Sequence, residues 1–320
     1  MIMRKKTIFK SMLALLLLVG VASCSEDNND NNPDSTSYNT KVYITDGPID
    51  NADVQAVFVT VADVKVDGQS IEGFTKTTVE LTALQNGSTQ LLGNIDMEAG
   101  TFNNLTLVLD SESDASGNTP ANYVLTQSNE KIELTSDSNT LTLNNSYSIE
   151  ASEDNELVID FDLRKAIVTD SGNTTYSFSS QSQLENSLRV VNSLNAGTIM
   201  GTATNNTGFP NNVTIAYAYN AGSFTTGEQN ENSAGVQFEN AVTSSVASGS
   251  TNQFQLNFLE EGNYEIHFAS YEDSNNDGKL EFAGMIDVET ATTIDLMAVD
   301  VTANSEVTLE VLLQGILPLL

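Results

Sequence analysis

Residues Val54 to Val66 read VQAVFVTVADVKV, and this stretch decides the fold class. Its β-branched residues occupy both alternating faces, which is typical of a strand buried in the centre of a sheet. Residues 157–163 read LVIDFDL. One face of this second strand would carry the large apolar side chains, and the other would carry Val158, Asp160 and Asp162. This alternation predicts a strand with one face in water and the other in a core.

Short segments of the same kind follow one another from about Lys41 to the end of the chain, with Gly-, Asn- and Ser-rich pieces between them. The clearest examples of two-residue alternation are Leu105–Leu109, Val213–Tyr219, Phe254–Phe258, Tyr264–Phe268 and Val307–Leu313. Many short strands at this spacing predict an all-β protein with two tandem Ig-like or transthyretin-like β-sandwich domains. We expect the two domains to be joined near residues 192–197.

The N-terminus has the pattern of a bacterial lipoprotein signal peptide. A short apolar run from Met12 to Val21 follows a basic region that contains Arg4, Lys5, Lys6 and Lys10. Val21-Ala22-Ser23-Cys24 then reads as a lipobox, and Cys24 is the only cysteine of the chain. We expect cleavage before Cys24 and attachment of acyl chains such as palmitate, which together would anchor the protein stably to a membrane. The alternative is an ordinary secretory signal peptide with a chance cysteine.

An acidic, asparagine-rich segment follows Cys24. Its start, Ser25-Glu26-Asp27, resembles the export signal of surface lipoproteins in Bacteroidota, which implies the outer leaflet of the outer membrane, facing the cell exterior. The alternative is a plain solvated tether, because such segments have too little apolar surface to fold. The predicted organisation is a signal peptide at 1–23, an acidic tether at 24–40, and β-sandwich domains at 41–195 and 196–320.

Composition limits the classes of partner. The chain carries 43 acidic and 12 basic residues, for a formal net charge of −31. Because phosphate binding requires clustered Lys and Arg, a nucleic-acid partner is excluded. The negative charge favours cations as partners. Loops at the ends of rigid sandwiches commonly carry recognition, so we also expect a protein or glycan ligand of unknown identity. With no second cysteine for a disulfide, stability must come from packed cores or bound ions.

The sharpest local motif is Asp273-Ser274-Asn275-Asn276-Asp277-Gly278-Lys279-Leu280-Glu281. Oxygen-bearing side chains fall at about the first, third, fifth and ninth loop positions of a calcium site, with a glycine at the sixth and a backbone carbonyl at the seventh. This opening half of a calcium-binding loop predicts a structural Ca²⁺ held by Asp273, Asn275, Asp277, Lys279 and Glu281.

The motif is incomplete, since Gly284 stands where a bidentate Glu completes a full EF-hand loop. Glu272, Asp287 or a water could take that place. Two alternatives stay open. The same residues suit a D-G hairpin turn, because Asn, Asp and Gly tolerate a positive φ. A solvated acidic loop would bind cations only weakly.

Candidate catalytic groups are few. His267, the single histidine, lies on the same strand face as Glu265, and no G-x-S-x-G elbow accompanies it. We expect a solvent-facing strand histidine rather than a proton shuttle. Paired carboxylates such as Asp160 and Asp162 could serve a glycosidase, but among 43 acidic residues chance pairs are common. The sequence predicts no catalytic residue and no enzyme.

Several stretches of the first predicted domain occur in a familiar order. They are Val42–Pro48, Val57–Val64, Val79–Leu81, Leu91–Gly93, Ala99–Leu109, Leu157–Leu163 and Leu188–Val191. This order resembles the DUF4382 family of bacterial lipoprotein domains over roughly residues 41–192. The resemblance implies a β-sandwich surface module, and it carries over no catalytic residue because the family is uncharacterised.

The second predicted domain opens with Gly197-Thr198-Ile199-Met200-Gly201-Thr202-Ala203 and later has Gly262-Asn263-Tyr264. A G-x-x-x-G-x-A strand followed by a late G-x-Y strand is similar to the carboxypeptidase-regulatory or transthyretin-like sandwich. The resemblance implies a second β-sandwich.

We therefore expect a non-enzymatic, surface-exposed lipoprotein that acts as a binding, adhesion or scaffolding module at the cell envelope. One alternative is a glycan-capture or carboxylate-dependent glycan-hydrolysing accessory lipoprotein, which would need an aromatic cleft with two acids. Another is a structural spacer or fibre subunit, for which an unpaired edge strand would be the telling observation. The apolar segment Val307–Leu320 could supply such a strand, although a last core strand is the commoner explanation.

Overall fold

The computed structural model describes residues 36–48, 53–143, 145–152, 154–169, 175–206, 212–247, 252–276, 280–291 and 293–318. Thr36–Leu320 form one compact unit. The regular structure of the described ranges is dominated by strands, and the α-helices are short, α1 at Leu163–Ala166 and α2 at Gln181–Asn186. The all-β prediction is therefore confirmed. No helix in these ranges is long and apolar enough to cross a membrane.

The strands of residues 37–192 form what we call the N-terminal sheets. They are β1 (Ser37–Gly47), β2 (Val54–Val66), β3 (Gln69–Ser70), β4 (Thr77–Glu80), β5 (Gln90–Glu98), β6 (Gly100–Phe102), β7 (Leu105–Leu109), β8 (Tyr123–Thr126), β9 (Lys131–Glu133), β10 (Thr140–Leu143), β11 (Tyr147–Ile149), β12 (Asn155–Asp162), β13 (Ile167–Thr169), β14 (Tyr176–Phe178) and β15 (Leu188–Asn192). A 3-10 turn at Leu81–Leu84 lies among them.

Two larger sheets carry the core of this part. One has the strand order β15-β12-β1-β5, and the other has the order β10-β7-β2-β8-β9 with β3 and β4 also paired to β2. The predicted central strand is β2, and its Val57, Val59, Val61 and Val64 are fully buried. These valines share one face of β2, since the register of β2 against β7 shifts by one residue between Val61 and Asp63, and the hydrophobic core covers that face.

The strands of residues 196–316 form what we call the C-terminal sheet. They are β16 (Ala196–Asn205), β17 (Val213–Asn220), β18 (Thr243–Ala247), β19 (Gln253–Glu260), β20 (Gly262–Glu272), β21 (Glu281–Thr290), β22 (Val299–Val301) and β23 (Glu306–Ile316). Their order is β18-β17-β20-β21-β23-β16-β19, with β22 paired to β20. Short 3-10 turns lie at Ser193–Asn195, between the two sets of strands, and at Thr226–Gln229. The division into two separate domains stays a prediction.

The C-terminal sheet curves until its two end strands, β18 and β19, lie against each other. The contact includes a hydrogen bond of 3.0 Å from the Gln255 N–H to Ser245 Oγ. Within the described chain, these two strands do not share a backbone ladder. The result is a barrel-like sheet with a seam.

The last strand, β23, lies inside this sheet. It runs parallel to β16 and antiparallel to β21, so both of its edges are paired. Leu309 and Leu313 are fully buried. The hypothesis that the described part of Val307–Leu320 serves as a free donor strand is therefore wrong.

The strand LVIDFDL is β12 with the first residue of α1, and both of its faces are buried. The exposed fractions of Val158, Asp160 and Asp162 are 2%, 6% and 8%. The expectation that this face lies in water is wrong, because residues that follow β17 and residues of β19 cover it. The two carboxylates of β12 therefore lie at the junction between the N-terminal sheets and the C-terminal sheet.

Candidate functional site

The end of β1 buries a carboxylate that sequence reasoning did not single out. Asp46 is 6% exposed, and neither of its oxygens has a hydrogen-bond partner of normal geometry. Burial raises the pKa of Asp46 well above its ordinary value, and Asp160 and Asp162 raise it further. The Leu163 amide and the Gln85 side chain oppose these effects only in part. This site therefore favours either a protonated Asp46 or a cation nearby.

Asp160 lies beside it on β12 and is paired with Arg189. The antiparallel register of β12 and β15 places the two residues opposite each other. Arg189 Nε and Nη2 donate to Asp160 Oδ2 at 3.0 and 2.6 Å. Both bonds end on the same oxygen, so Asp160 Oδ1 has no partner among the described residues.

Asp162 has two cations, because the one-turn helix α1 starts directly after it and brings the next basic residues back towards it. Arg164 Nη2 donates to Asp162 Oδ2 at 2.9 Å, and Lys165 Nζ lies 3.3 Å from the same oxygen. Burial alone would raise the pKa of Asp162, but Arg164 and Lys165 hold it below its ordinary value. Asp162 is therefore an ionised group inside the junction.

The same three cations bind the C-terminal part of the chain. Their acceptors there are all backbone carbonyls: Gln237 and Phe238 for Arg164, Ala241 for Lys165, and Phe258 and Asn257 for Arg189. Hydrogen bonds from charged donors contribute roughly 1.5–3 kcal/mol each when buried. We call Arg164, Lys165 and Arg189 the cation clamp, since each connects a carboxylate of the N-terminal sheets to the C-terminal part.

A cleft of about 200 Å³ opens beside the clamp. On the N-terminal side it is lined by Asp46, Asp160 and the loop 85–87, and on the C-terminal side by the seam strands β18 and β19. The Asp46 oxygens are sealed from water, just beneath this surface. Gly87, at φ +79°, approaches so closely that a Cβ there would lie 2.9 Å from the Asn257 side chain. Phe258 is the one aromatic residue among those that line the cleft.

The predicted calcium loop is described only at its two ends. Glu281 Oε2 accepts the Ser274 N–H at 2.9 Å and the Ser274 hydroxyl at 3.2 Å, while Glu281 Oε1 accepts Asn275 Nδ2 at 2.9 Å. The start of the loop is thus connected to the start of β21, and Asp273 also has an interaction partner. Asp277 and Lys279 lie outside the described residues.

No group of three or more His, Cys, Asp or Glu able to hold a metal occurs in the described ranges. That finding does not reach Asp277, so the Ca²⁺ site at Asp273, Asn275, Asp277, Lys279 and Glu281 stays a prediction. Cys24 also lies outside the described residues, and its lipidation stays a prediction.

His267 differs from its predicted environment. Its side chain is 15% exposed and stacks on Phe224, with ring centroids 4.0 Å apart. Burial lowers the pKa of His267, although Glu265 at 3.5 Å acts in the opposite direction. The expectation of a solvent-facing histidine is wrong because the chain after β17 folds over this face of β20 and is held there by a hydrogen bond from the Phe224 N–H to Glu265.

Comparisons with solved structures found distant likenesses, several of them to bacterial pilins. A leucine-rich repeat protein from Bacteroides thetaiotaomicron is 11% identical, with a TM-score of 0.25 over 88% of this chain and 27% of that one. The minor pilin GBS52 of Streptococcus agalactiae is 11% identical, with a TM-score of 0.22 over 87% of this chain and 97% of that one. BcpA, the major pilin subunit of Bacillus cereus, is 10% identical, with a TM-score of 0.20 over 87% and 71%.

The chain spans only 27% and 34% of the first two structures that it matches, the second being the Bacillus anthracis TIE protein. At these identities and TM-scores, the likeness assigns no function. A comparison with curated proteins found no match. A family comparison matched residues 39–180 to the family described as "Domain of unknown function (DUF4382)". The resemblance of the first part is confirmed over that range, whereas the transthyretin-like resemblance of the second part stays a prediction. Residues 39–180 thus match the DUF4382 family.

Proposed function

We propose that this protein is a non-enzymatic lipoprotein, anchored through Cys24 to the outer membrane and facing the cell exterior, that acts as a binding, adhesion or scaffolding module. The observation that carries the proposal is the cation clamp. A binding module has to hold its loops in fixed positions on a rigid scaffold. Arg164, Lys165 and Arg189 meet that need by joining the N-terminal sheets to the C-terminal part with buried charged bonds.

The chemistry of the cleft supports binding rather than hydrolysis. A glycosidase needs two carboxyl groups that both reach the glycosidic bond or its water. The Asp46 oxygens are sealed from water, and Arg189 occupies one oxygen of Asp160. Phe258 supplies only one aromatic ring where a sugar-binding cleft commonly offers several. These features leave the cleft suited to holding a ligand.

Anchoring can be tested by feeding an alkyne-labelled fatty acid to cells that express the full chain. We expect label in the protein, loss of nearly all label in Cys24→Ser, and retention of label in Ser23→Ala, which keeps a small residue before the cysteine. Protease treatment of intact cells then tests whether the protein faces outwards. Equal labelling of Cys24→Ser, or protection from protease in intact cells, would contradict this part of the proposal.

Binding can be tested with the full chain purified in detergent. We expect saturable binding to a defined glycan or protein on an array, and no release of sugar from any glycan that binds. Cells that display the protein should adhere to a surface coated with that ligand, and cells with Cys24→Ser should not. Turnover of a glycan that is lost on substitution of Asp160 would overturn the non-enzymatic proposal.

A further inference from the structure

The cleft beside the clamp offers several acceptors, and one of them is the unpartnered hydroxyl of Ser244, which can accept as well as donate. Each nitrogen of the Arg189 guanidinium donates to Asp160 Oδ2 or to a backbone carbonyl of β19. Gln255 Nε2 donates to Asn257 Oδ1 at 2.7 Å, and Asn257 Nδ2 donates to the Gln255 carbonyl. This arrangement leaves Asp160 Oδ1 and Gln255 Oε1 as acceptors that a ligand can use. Such a surface fits a ligand rich in donors.

The negative charge around the cleft also favours a cationic ligand. Asp46 lies under its surface with no cation of its own, whereas Asp160 and Asp162 each have one or more. A cation bound in the cleft would lower the free-energy cost of ionising Asp46, because the buried charge would then have a partner. The formal net charge of −31 further raises the local concentration of small cations at the surface.

Size separates an organic cation from a bare metal ion. A single water needs only about 10–15 Å³ of such space, so a cleft of about 200 Å³ is roughly an order of magnitude larger than one ion requires. Metal sites for hard cations usually collect six or more oxygens. The described residues contain no group of three or more acidic, His or Cys side chains that could hold a metal. An ammonium group needs just three acceptors.

We propose that this cleft binds a small organic cation through a primary ammonium group, with Asp160 Oδ1 and Gln255 Oε1 among its acceptors. The proposal deepens the proposed binding function, on which it rests, by naming a ligand class. The carbon chain of such a ligand would lie along Phe258 and Val246, which supply the apolar surface of the cleft.

The test is calorimetry on the full chain in detergent, with 1,4-diaminobutane as the probe and 1,4-butanediol as its neutral isostere. We expect one saturable site for the diamine and none for the diol. Asp46→Asn should weaken diamine binding about tenfold, because it removes a nearby charge in a low-dielectric environment. Gln255→Leu removes an acceptor and should weaken it by a similar factor, and Asp160→Asn should abolish it.

A matched control is Asp300→Asn, which removes one charge from an exposed residue that does not line the cleft. It should change diamine affinity less than about twofold. Circular dichroism checks folding; if Asp160→Asn unfolds, Asp46→Asn and Gln255→Leu decide the matter. Many weak sites that are equal in all variants, equal binding of the diol, or Ca²⁺ binding with the same dependence on these variants would each overturn the proposal. Fatty-acid labelling of Cys24 is independent of all these results, so failure of the cleft proposal and failure of anchoring can be told apart.

Discussion

Two acidic regions of this molecule stabilise their carboxylates in different ways. At the junction, Asp160 and Asp162 are buried and paired with full positive charges from the clamp. At the start of β21, the carboxylate of Glu281 accepts hydrogen bonds from the N–H and hydroxyl groups of Ser274 and from the side-chain amide of Asn275. The difference follows from exposure to solvent. A carboxylate removed from water needs a cation or a proton, whereas a carboxylate near solvent needs only neutral hydrogen-bond donors.

The largest expected effect comes from breaking the clamp. Arg164→Met leaves Asp162 buried with weaker compensation, and removing one partner of a buried pair typically costs about 3–5 kcal/mol of unfolding free energy. Urea denaturation of the full chain at pH 7 measures this loss. The triple variant Asp162→Asn/Arg164→Met/Lys165→Met should recover most of it, because it leaves no unpaired charge at this position. A loss under about 1 kcal/mol for the single variant would show that the junction is open to water.

The acidic loop is expected to respond to calcium rather than to loss of an internal partner. If Ca²⁺ binds it, a concentration of about one hundred times Kd should stabilise the fold by about 2.7 kcal/mol. Thermal unfolding with and without Ca²⁺ measures this. The variant Asp273→Ala/Asp277→Ala should abolish the effect, and Asp300→Asn should retain it. If the native chain unfolds at the same temperature with and without Ca²⁺, the motif is a D-G turn and not a calcium site.

Asp46 extends the comparison to a buried carboxylate without a cation. Its raised pKa means that the folded state holds the proton more tightly than the unfolded state. Its contribution to stability is therefore full below the unfolded value of about 4 and is lost as the pH rises through the folded pKa. Asp46→Asn removes this loss and should stabilise the protein by about 1–2 kcal/mol at pH 7.

The gain from Asp46→Asn should shrink towards pH 4, which urea denaturation at several pH values can follow. Asp162 has the opposite sign, because its pKa is lowered and its contribution is lost as the pH falls. A gain from Asp46→Asn that is the same at all pH values would mean that the carboxylate does not titrate in the folded protein over this range.

The smallest effect is expected at an exposed pair. Lys41 Nζ lies 3.2 Å from Glu156 Oε1, and the two side chains are 47% and 37% exposed. Lys41→Met should lower the free energy of unfolding far less than Arg164→Met does in urea denaturation at low salt, and less still at high salt. A loss as large as that of Arg164→Met would mean that burial does not decide how much an ion pair of this protein contributes to stability.

The sequence predicts the strands well because their signals are local. The alternation in β2 and in β12 depends on residues next to one another, and both strands lie where their patterns indicate. It does not predict what covers them. The Asp160 face of β12 looks like a solvated face, and only the packing of distant residues such as Phe258 makes it a junction.

The same dependence on distant residues explains why the environments of His267 and Asp46 were not predicted. His267 is covered by Phe224, which lies 43 positions before it in the chain, and no local pattern reports that contact. Asp46 appears in the sequence as one of 43 acidic residues, with nothing to mark it as buried. A weak signal did exist for the clamp: in a chain with only 12 basic residues, Arg164 and Lys165 directly follow a strand that carries two aspartates.

Every hydrogen bond from the clamp to the C-terminal part ends on a main-chain oxygen, although Arg164 also lies over the ring of Tyr217, 5.4 Å from its centroid. A carbonyl is present at every position whatever the side chain, so positions 237, 238, 241, 257 and 258 can change identity during evolution without losing these bonds. The junction therefore depends on the backbone path of the C-terminal part, on Tyr217 and on three basic residues of the N-terminal part. The loops of the C-terminal part can therefore change in sequence while their hydrogen bonds to the clamp stay in place.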